Sequence, residues 1–215
     1  KRTMRSPKEG KQQAKLYADC LEKEFKRRPL IYYTNGYEHW FWDDSNYPSR
    51  SVQGVHTKDE LELMMQRRSD RLSLSSAKIN NKIVERSYQH LAIRSITESL
   101  EEKNQRRSLI VMATGSGKTR VVIALVDLLM RCNWVKRVLF LADRISLVKQ
   151  ASKEFGKHLP NTQVVNLLKD HDANGRVYVS TYQTILNQIN KLDNQTRKFG
   201  IGFFDFVIVL FTSCF

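Results

Sequence analysis

The apolar positions along the chain change their rhythm once, near residue 85. Ahead of that point the elements are short and mixed. Over 8–28, Ala14, Leu16, Tyr17, Cys20, Leu21 and Phe25 recur at three- and four-residue steps among charged positions, which predicts a helix ended by Pro29. Two aromatic runs, Leu30–Tyr33 and Tyr37–Trp42, flank Thr34-Asn35-Gly36, and Asn-Gly supplies the positive φ angles of a tight β-hairpin turn. Residues 43–54 read as loop. Thr57-Lys58-Asp59-Glu60 spells a capping box before Leu61, Leu63, Met64 and Met65, so a helix runs on to Ser69. The polar, Ser-rich stretch 71–81 reads as a linker.

Beyond residue 85, helices and apolar strands alternate. The pattern predicts a helix over 85–103, a strand over 109–112, a helix over 118–131 and a strand over 137–141. A helix over 144–158, strands over 164–168 and 177–180, a helix over 182–192 and a strand over 204–210 follow. Apolar strands separated by helices imply βαβ units, hence a mostly parallel sheet covered by helices on both faces. The expected class is α/β, preceded by a small α+β region. No internal repeat is visible.

Composition sharpens this picture in three ways. With 41% hydrophobic residues in 215, the chain supports a packed core. Thirty-six Lys and Arg against twenty-two Asp and Glu leave a net charge of +14, which favours a polyanionic partner. The longest apolar stretch, Val121–Met130, contains Asp127 and is flanked by Arg120 and Arg131, so no membrane span is expected. Cys20, Cys132 and Cys214 form neither a disulfide framework nor a metal spacing, and none of the five histidines has one either. The basic first seven residues precede no apolar leader segment, and a cytoplasmic location is expected. The chain starts at Lys1 and its first methionine is Met4, so it is expected to be a piece of a longer protein.

The strongest local signal is Ala113-Thr114-Gly115-Ser116-Gly117-Lys118-Thr119, between a predicted strand and a predicted helix. A phosphate tail needs inward-pointing backbone N–H groups, which glycines permit, a lysine for the β/γ oxygens and a hydroxyl for Mg²⁺. The helix that begins at Lys118 adds the positive end of its dipole. Met112 stands where the first glycine of the general pattern falls. The competing reading, a glycine-bearing turn with an incidental Lys-Thr, explains the spacing less well.

Thr114–Thr119 resembles motif I of the superfamily 2 helicases and translocases, and Val138-Leu139-Phe140-Leu141-Ala142-Asp143-Arg144 resembles their motif Ia. Arg86-Ser87-Tyr88-Gln89 with Ala92-Ile93 resembles the glutamine-bearing helix that reads adenine, and Val179-Ser180-Thr181-Tyr182-Gln183 a later backbone-contacting motif. Together with Gln13–Asp19 and Asn35–Trp40, these make the chain similar, from near residue 1 to about residue 209, to the restriction (R, motor) subunit of type I restriction-modification enzymes.

The resemblance implies a division into the tail of a restriction-endonuclease-like nuclease domain (1–28), a hairpin and helix connector (29–84) and a first RecA-like ATP-binding domain (85–215). It implies ATP and Mg²⁺ as cofactors, double-stranded DNA as substrate, and modification and specificity subunits as partners. ATP would be held by Gln89, Thr114, Gly115, Ser116, Gly117, Lys118 and Thr119, with the Thr119 hydroxyl on Mg²⁺. Taken alone, Gln89 reads more readily as a polar helix residue. Arg144, Ser180 and Thr181 are DNA-contact candidates, the last two divided between phosphate contact and helix capping; Asp143 reads as the cap of the helix that follows it. Gln13 and Tyr17 match the Gln-x-x-x-Tyr of the family's nuclease and Lys1 its catalytic lysine, but the preceding carboxylates are absent from this chain. Without the resemblance, Tyr17 belongs to the apolar stripe of its helix. The aromatics of the predicted hairpin read as packing rather than as base-stacking platforms.

The pattern breaks at the last strand. Phe204–Val209 resembles the strand that carries motif II, where Asp-Glu-Ala-His should follow, yet the chain reads Leu210-Phe211-Thr212-Ser213-Cys214-Phe215. No catalytic motif II is present. Nucleotide binding with little turnover is expected, and the last six residues suggest a frameshift or an interrupted gene.

Overall fold

The computed structural model describes residues 6–170, 174–189, 192–193, 196–197, 199 and 202–211. Lys1 and residues 212–215 lie outside them. The chain forms two compact units, one of residues up to Gln66 with Ser99–Ser108, the other of Arg67–Glu98 with Leu109 onward.

In the first unit, a 3₁₀ turn at Pro7–Gly10 leads into helix α1 (Lys11–Phe25). The helix stops three residues before the position next to Pro29, because Lys26 turns left-handed (φ 54°) and its N–H returns to the Glu22 carbonyl. Leu16, Tyr17, Leu21 and Phe25 are exposed and Ala18 is the buried residue of the helix. The face that packs is thus the small one, Ala14 and Ala18 against Ile31 and Tyr33, where short side chains let helix and sheet approach closely. The predicted hairpin forms as β1 (Ile31–Thr34) and β2 (His39–Trp42), with Thr34 opposite His39. Its loop is four residues, not a two-residue turn, because Asn35 Oδ1 accepts the N–H groups of both Tyr37 (3.1 Å) and Glu38 (2.8 Å). A third strand, β3 (Arg50–Val52), pairs antiparallel with β2 inside the stretch expected to be loop. Three residues carry too little alternation to be read in advance.

Helix α2 (Lys58–Asp70) begins with the capping box: Thr57 N–H donates to Glu60 Oε2 (2.8 Å) and Glu60 N–H to Thr57 Oγ1 (3.3 Å).

The second unit holds a parallel four-stranded sheet in the order β5-β6-β4-β9, from β4 (Val138–Ala142), β5 (Val164–Asn166), β6 (Val177–Thr181) and β9 (Phe206–Leu210). A two-residue ladder of β7 (Leu192–Asp193) and β8 (Thr196–Arg197) lies between β6 and β9 in sequence. Helices α3 (Ser87–Glu101) and α4 (Lys118–Arg131) precede β4, α5 (Ile145–His158) lies between β4 and β5, and α6 (Tyr182–Ile189) follows β6. This is the expected α/β, RecA-like arrangement. The central strands β4 and β6 are buried at all five positions, as strands covered on both faces must be. Leu139, Leu141, Tyr178 and Ile185 centre one core cluster.

Two expectations fail here. Leu109–Met112 is not a strand: Leu109 and Val111 are almost fully exposed, and the segment joins no ladder among the described residues. An apolar run becomes a strand only where a neighbour takes its N–H and C=O groups. The stretch 71–81 has no helix or strand, yet it is no free linker. Leu74 is fully buried, and Arg94 donates from Nη1 to the Leu74 carbonyl (2.7 Å) and from Nη2 to that of Ala77 (2.6 Å).

Candidate nucleotide site

The glycine loop depends on two left-handed residues, Gly115 (φ 78°) and Gly117 (φ 86°). A side chain at either position would be strained. Space is a second restriction at Gly117: a Cβ there would lie 2.6 Å from Gln89 Nε2. Gly117 is also the N-cap of α4 and brings no capping side chain, so the first N–H groups of that helix and its dipole are left for a ligand.

Gln89, buried near the start of α3, is wired into this loop. Its Nε2 donates to the Ser116 carbonyl (3.1 Å), while its Oε1 accepts the N–H groups of Glu85 and Arg86, both at 3.3 Å. Tyr88 donates its hydroxyl to the same Ser116 carbonyl (2.9 Å) and accepts from Arg86 Nη1 (3.0 Å). Its carbonyl contact has no sequence signature, because it depends on where two distant backbone segments meet.

Gln89, Gly115, Ser116 and Gly117 line one pocket of about 270 Å³ with Glu85, Arg86 and Arg120. Lys118 points its ammonium at the Met112 carbonyl (3.2 Å), and Ser116 Oγ donates to that of Ala113 (2.6 Å). The Thr119 hydroxyl is half-buried and makes no hydrogen bond among the described residues, so it is available to a cation. Thr114 is exposed.

The other candidates gather at the carboxyl ends of the parallel strands, the edge where open α/β sheets bind ligands. Ala142 is level with Thr181 on one side and with Leu210 on the other, so Asp143-Arg144, Tyr182 and Phe211 all emerge there. Arg144 is exposed and is itself the N-cap of α5, with no side-chain capping bond, so Asp143 does not cap that helix. Ser180 is fully buried, its hydroxyl on the Thr181 carbonyl (3.2 Å). Thr181 Oγ1 meets Thr184 Oγ1 at 2.9 Å and accepts the Thr184 N–H (3.3 Å), which is the capping geometry. Phe211 stacks on Tyr182, 6.1 Å between centroids, at the position where the family resemblance calls for an acid. Burial, and after it the charge of Asp143, pushes the Tyr182 phenol up.

In the first unit, Gln13 Nε2 donates to the Tyr17 hydroxyl (2.7 Å), and both residues line a cleft of about 900 Å³ with Tyr32, Tyr33 and Asn35. No group of three or more His, Cys, Asp or Glu side chains able to hold a metal occurs among the described residues. No described helix is long and apolar enough to cross a membrane. Of the hairpin aromatics, Tyr33 and Phe41 are buried on opposite faces of the sheet, while Tyr37, in the loop, is exposed.

Residues 82–209 match the family described as "Type III restriction enzyme, res subunit". The endonuclease subunit of the type I restriction enzyme EcoKI from Escherichia coli K12 is 28% identical over 205 aligned residues, covering 82% of this chain and 17% of that protein. The corresponding EcoAI subunit from Escherichia coli is 29% identical over 124 residues, covering 58% and 15%. A solved fragment described as an HsdR subunit of a type I restriction enzyme from Vibrio vulnificus YJ016 is 27% identical, with a TM-score of 0.44, covering 96% of this chain and 37% of that one. The chain thus spans about a sixth of the length of the two curated relatives. With its 82–209 segment, this chain belongs to the restriction-enzyme res-subunit family, with a helicase-like fold and the endonuclease subunits of type I restriction enzymes as its relatives.

Proposed function

We propose that this chain supplies the nucleotide-binding part of a type I restriction enzyme motor. It takes ATP with Mg²⁺ and acts on double-stranded DNA, in the cytoplasm, together with modification and specificity subunits. The observation that carries the reading is the left-handed Gly117, closed on one side by Gln89 and opening on the other onto the uncapped start of α4. In the proposed complex, the α4 N–H groups and the Lys118 ammonium hold the phosphate oxygens, and Lys118 leaves the Met112 carbonyl to do so. Gln89 holds the loop from beneath while facing the pocket. The Thr119 hydroxyl is the one Mg²⁺ ligand proposed here. Arg144, at the strand ends, meets DNA phosphate.

Leu210 and Phe211 offer no carboxylate to hold a metal or orient water, and positioning and charge neutralisation make up most of phosphoryl-transfer catalysis. Binding without appreciable hydrolysis is the consequence. Calorimetry of ATP with the wild type and Lys118→Ala tests the reading. The expected result is binding that the substitution abolishes, and unchanged affinity in Lys118→Ala would overturn it.

A further inference from the structure

The Ser116 carbonyl is held twice from the start of α3. Tyr88 donates its hydroxyl to it at 2.9 Å and Gln89 an Nε2–H at 3.1 Å, which occupies both lone pairs of one oxygen. Arg86 Nη1 donates to the Tyr88 oxygen at 3.0 Å, so the phenol proton is left for the carbonyl. A cationic donor on that oxygen also polarises its O–H and strengthens the bond the proton makes. The two pins differ in their other duties. Gln89 accepts the N–H groups of Glu85 and Arg86 as well, whereas the Tyr88 hydroxyl has the Ser116 carbonyl as its one acceptor among the described residues.

Where a carbonyl points fixes the N–H that follows it. The peptide unit is planar and trans, so the Gly117 N–H is directed opposite to the Ser116 C=O, away from the Tyr88 and Gln89 donors. Among the described residues nothing accepts that N–H. Glycines stand on both sides of Ser116, at φ 78° for Gly115 and 86° for Gly117, and glycine tolerates many backbone orientations. The loop's own sequence therefore leaves the Ser116–Gly117 peptide free to turn over, and its orientation must be imposed from outside.

We propose that Tyr88 is a positioning residue of the glycine loop: its hydroxyl sets the Ser116–Gly117 peptide so that the Gly117 N–H faces a bound phosphate. The inference rests on the reading of this loop as a nucleotide-phosphate site, and adds a phosphate role for a side chain that itself contacts only the carbonyl. It is distinct from packing on a base, for which the ring and not the hydroxyl would matter.

The test is calorimetry of the full chain with ATP and, separately, with inorganic tripolyphosphate, both in the presence of Mg²⁺. Tripolyphosphate carries the phosphates without a base, and Tyr88→Phe keeps the ring while removing the hydroxyl. The expected result is that Tyr88→Phe weakens both ligands by the same factor, at least about threefold, as loss of one hydrogen bond at a half-exposed position implies. One site per chain still fills, and the melting temperature of the free protein is unchanged. By NMR, the shift of the Gly117 amide at saturation with tripolyphosphate is smaller in Tyr88→Phe, while that of the Thr119 amide is the same, a pattern that general destabilisation does not produce. Lys118→Ala separates the two readings. If it binds tripolyphosphate like the wild type, the loop is not a phosphate site, and this inference falls with that reading. If Lys118→Ala loses binding while Tyr88→Phe binds both ligands like the wild type, the positioning role alone is overturned. A Tyr88→Phe loss confined to ATP overturns it too, and assigns the residue to the base.

Discussion

Asp205 and Arg67 are joined side on, with Arg67 Nη2 donating to Asp205 Oδ2 at 2.9 Å, across 138 residues of chain. The same carboxylate oxygen accepts the backbone N–H groups of Lys136 (2.8 Å) and Arg137 (2.9 Å), so one acid ties the end of α2 to the start of β4 and of β9. Both side chains are about nine-tenths buried. Removing one partner of such a pair leaves an uncompensated buried charge, at a cost of about 3–5 kcal/mol. Asp205→Ala should lower the urea midpoint with an unchanged denaturant slope, and Arg67→Met with Asp205→Leu together should recover part of the loss. An Asp205→Ala protein as stable as wild type would show that the clip contributes nothing.

Gly117→Ala tests the loop by shape alone. The added methyl meets Gln89 Nε2, and the backbone is held where an L side chain costs about 1–2 kcal/mol. ATP affinity should fall at least about tenfold, and the melting temperature by about 2–4 °C for each kcal/mol of that strain. Gln89→Ala added to Gly117→Ala relieves the clash and should recover part of the affinity. Calorimetry of the single and double variants is the check.

Burial, and after it the Arg50 charge, lowers the His56 imidazole, with Glu60 opposing. The folded state therefore prefers neutral His56, while the unfolded chain takes up a proton near its ordinary ~6.5. The stability this confers is present above that value and is lost as pH falls below it, toward the lower folded value. Unfolding free energy should drop between ~pH 7.5 and ~pH 5 more steeply in the wild type than in His56→Gln. Parallel profiles for the two proteins would contradict the assignment.

Non-specific DNA binding should follow from the +14 charge and fall steeply between ~50 and ~200 mM salt. Arg144→Ala should weaken binding to all duplexes alike and reduce the salt slope by about 1. A fluorescence-anisotropy series at several salt concentrations reads both. Ser180→Ala should leave DNA affinity unchanged, since that hydroxyl is turned into the protein.

Periodicity and turn chemistry are local, and they carried much of the fold. Helix α4 runs from Lys118 to Arg131 as its pattern predicts, and Thr57 and Glu60 cap α2 as their spacing requires. Gly115 and Gly117 marked the turn into α4 because few residue types tolerate that left-handed backbone. What local pattern cannot carry is who sits across from whom. Leu109–Met112 is apolar enough for a strand but lacks a ladder partner among the described residues, whereas Arg50–Val52 looks like loop yet finds one in β2. The stripe of α1 suggested a buried Leu16 and Tyr17, but the close approach of β1 selected the alanines. Gln89 and Tyr88 meet the Ser116 carbonyl, and Arg50 and His56 share the Phe41 ring, only because residues far apart in sequence are brought together. Short-range preferences are set by each residue's own backbone and neighbours, while burial and pairing belong to the assembled chain.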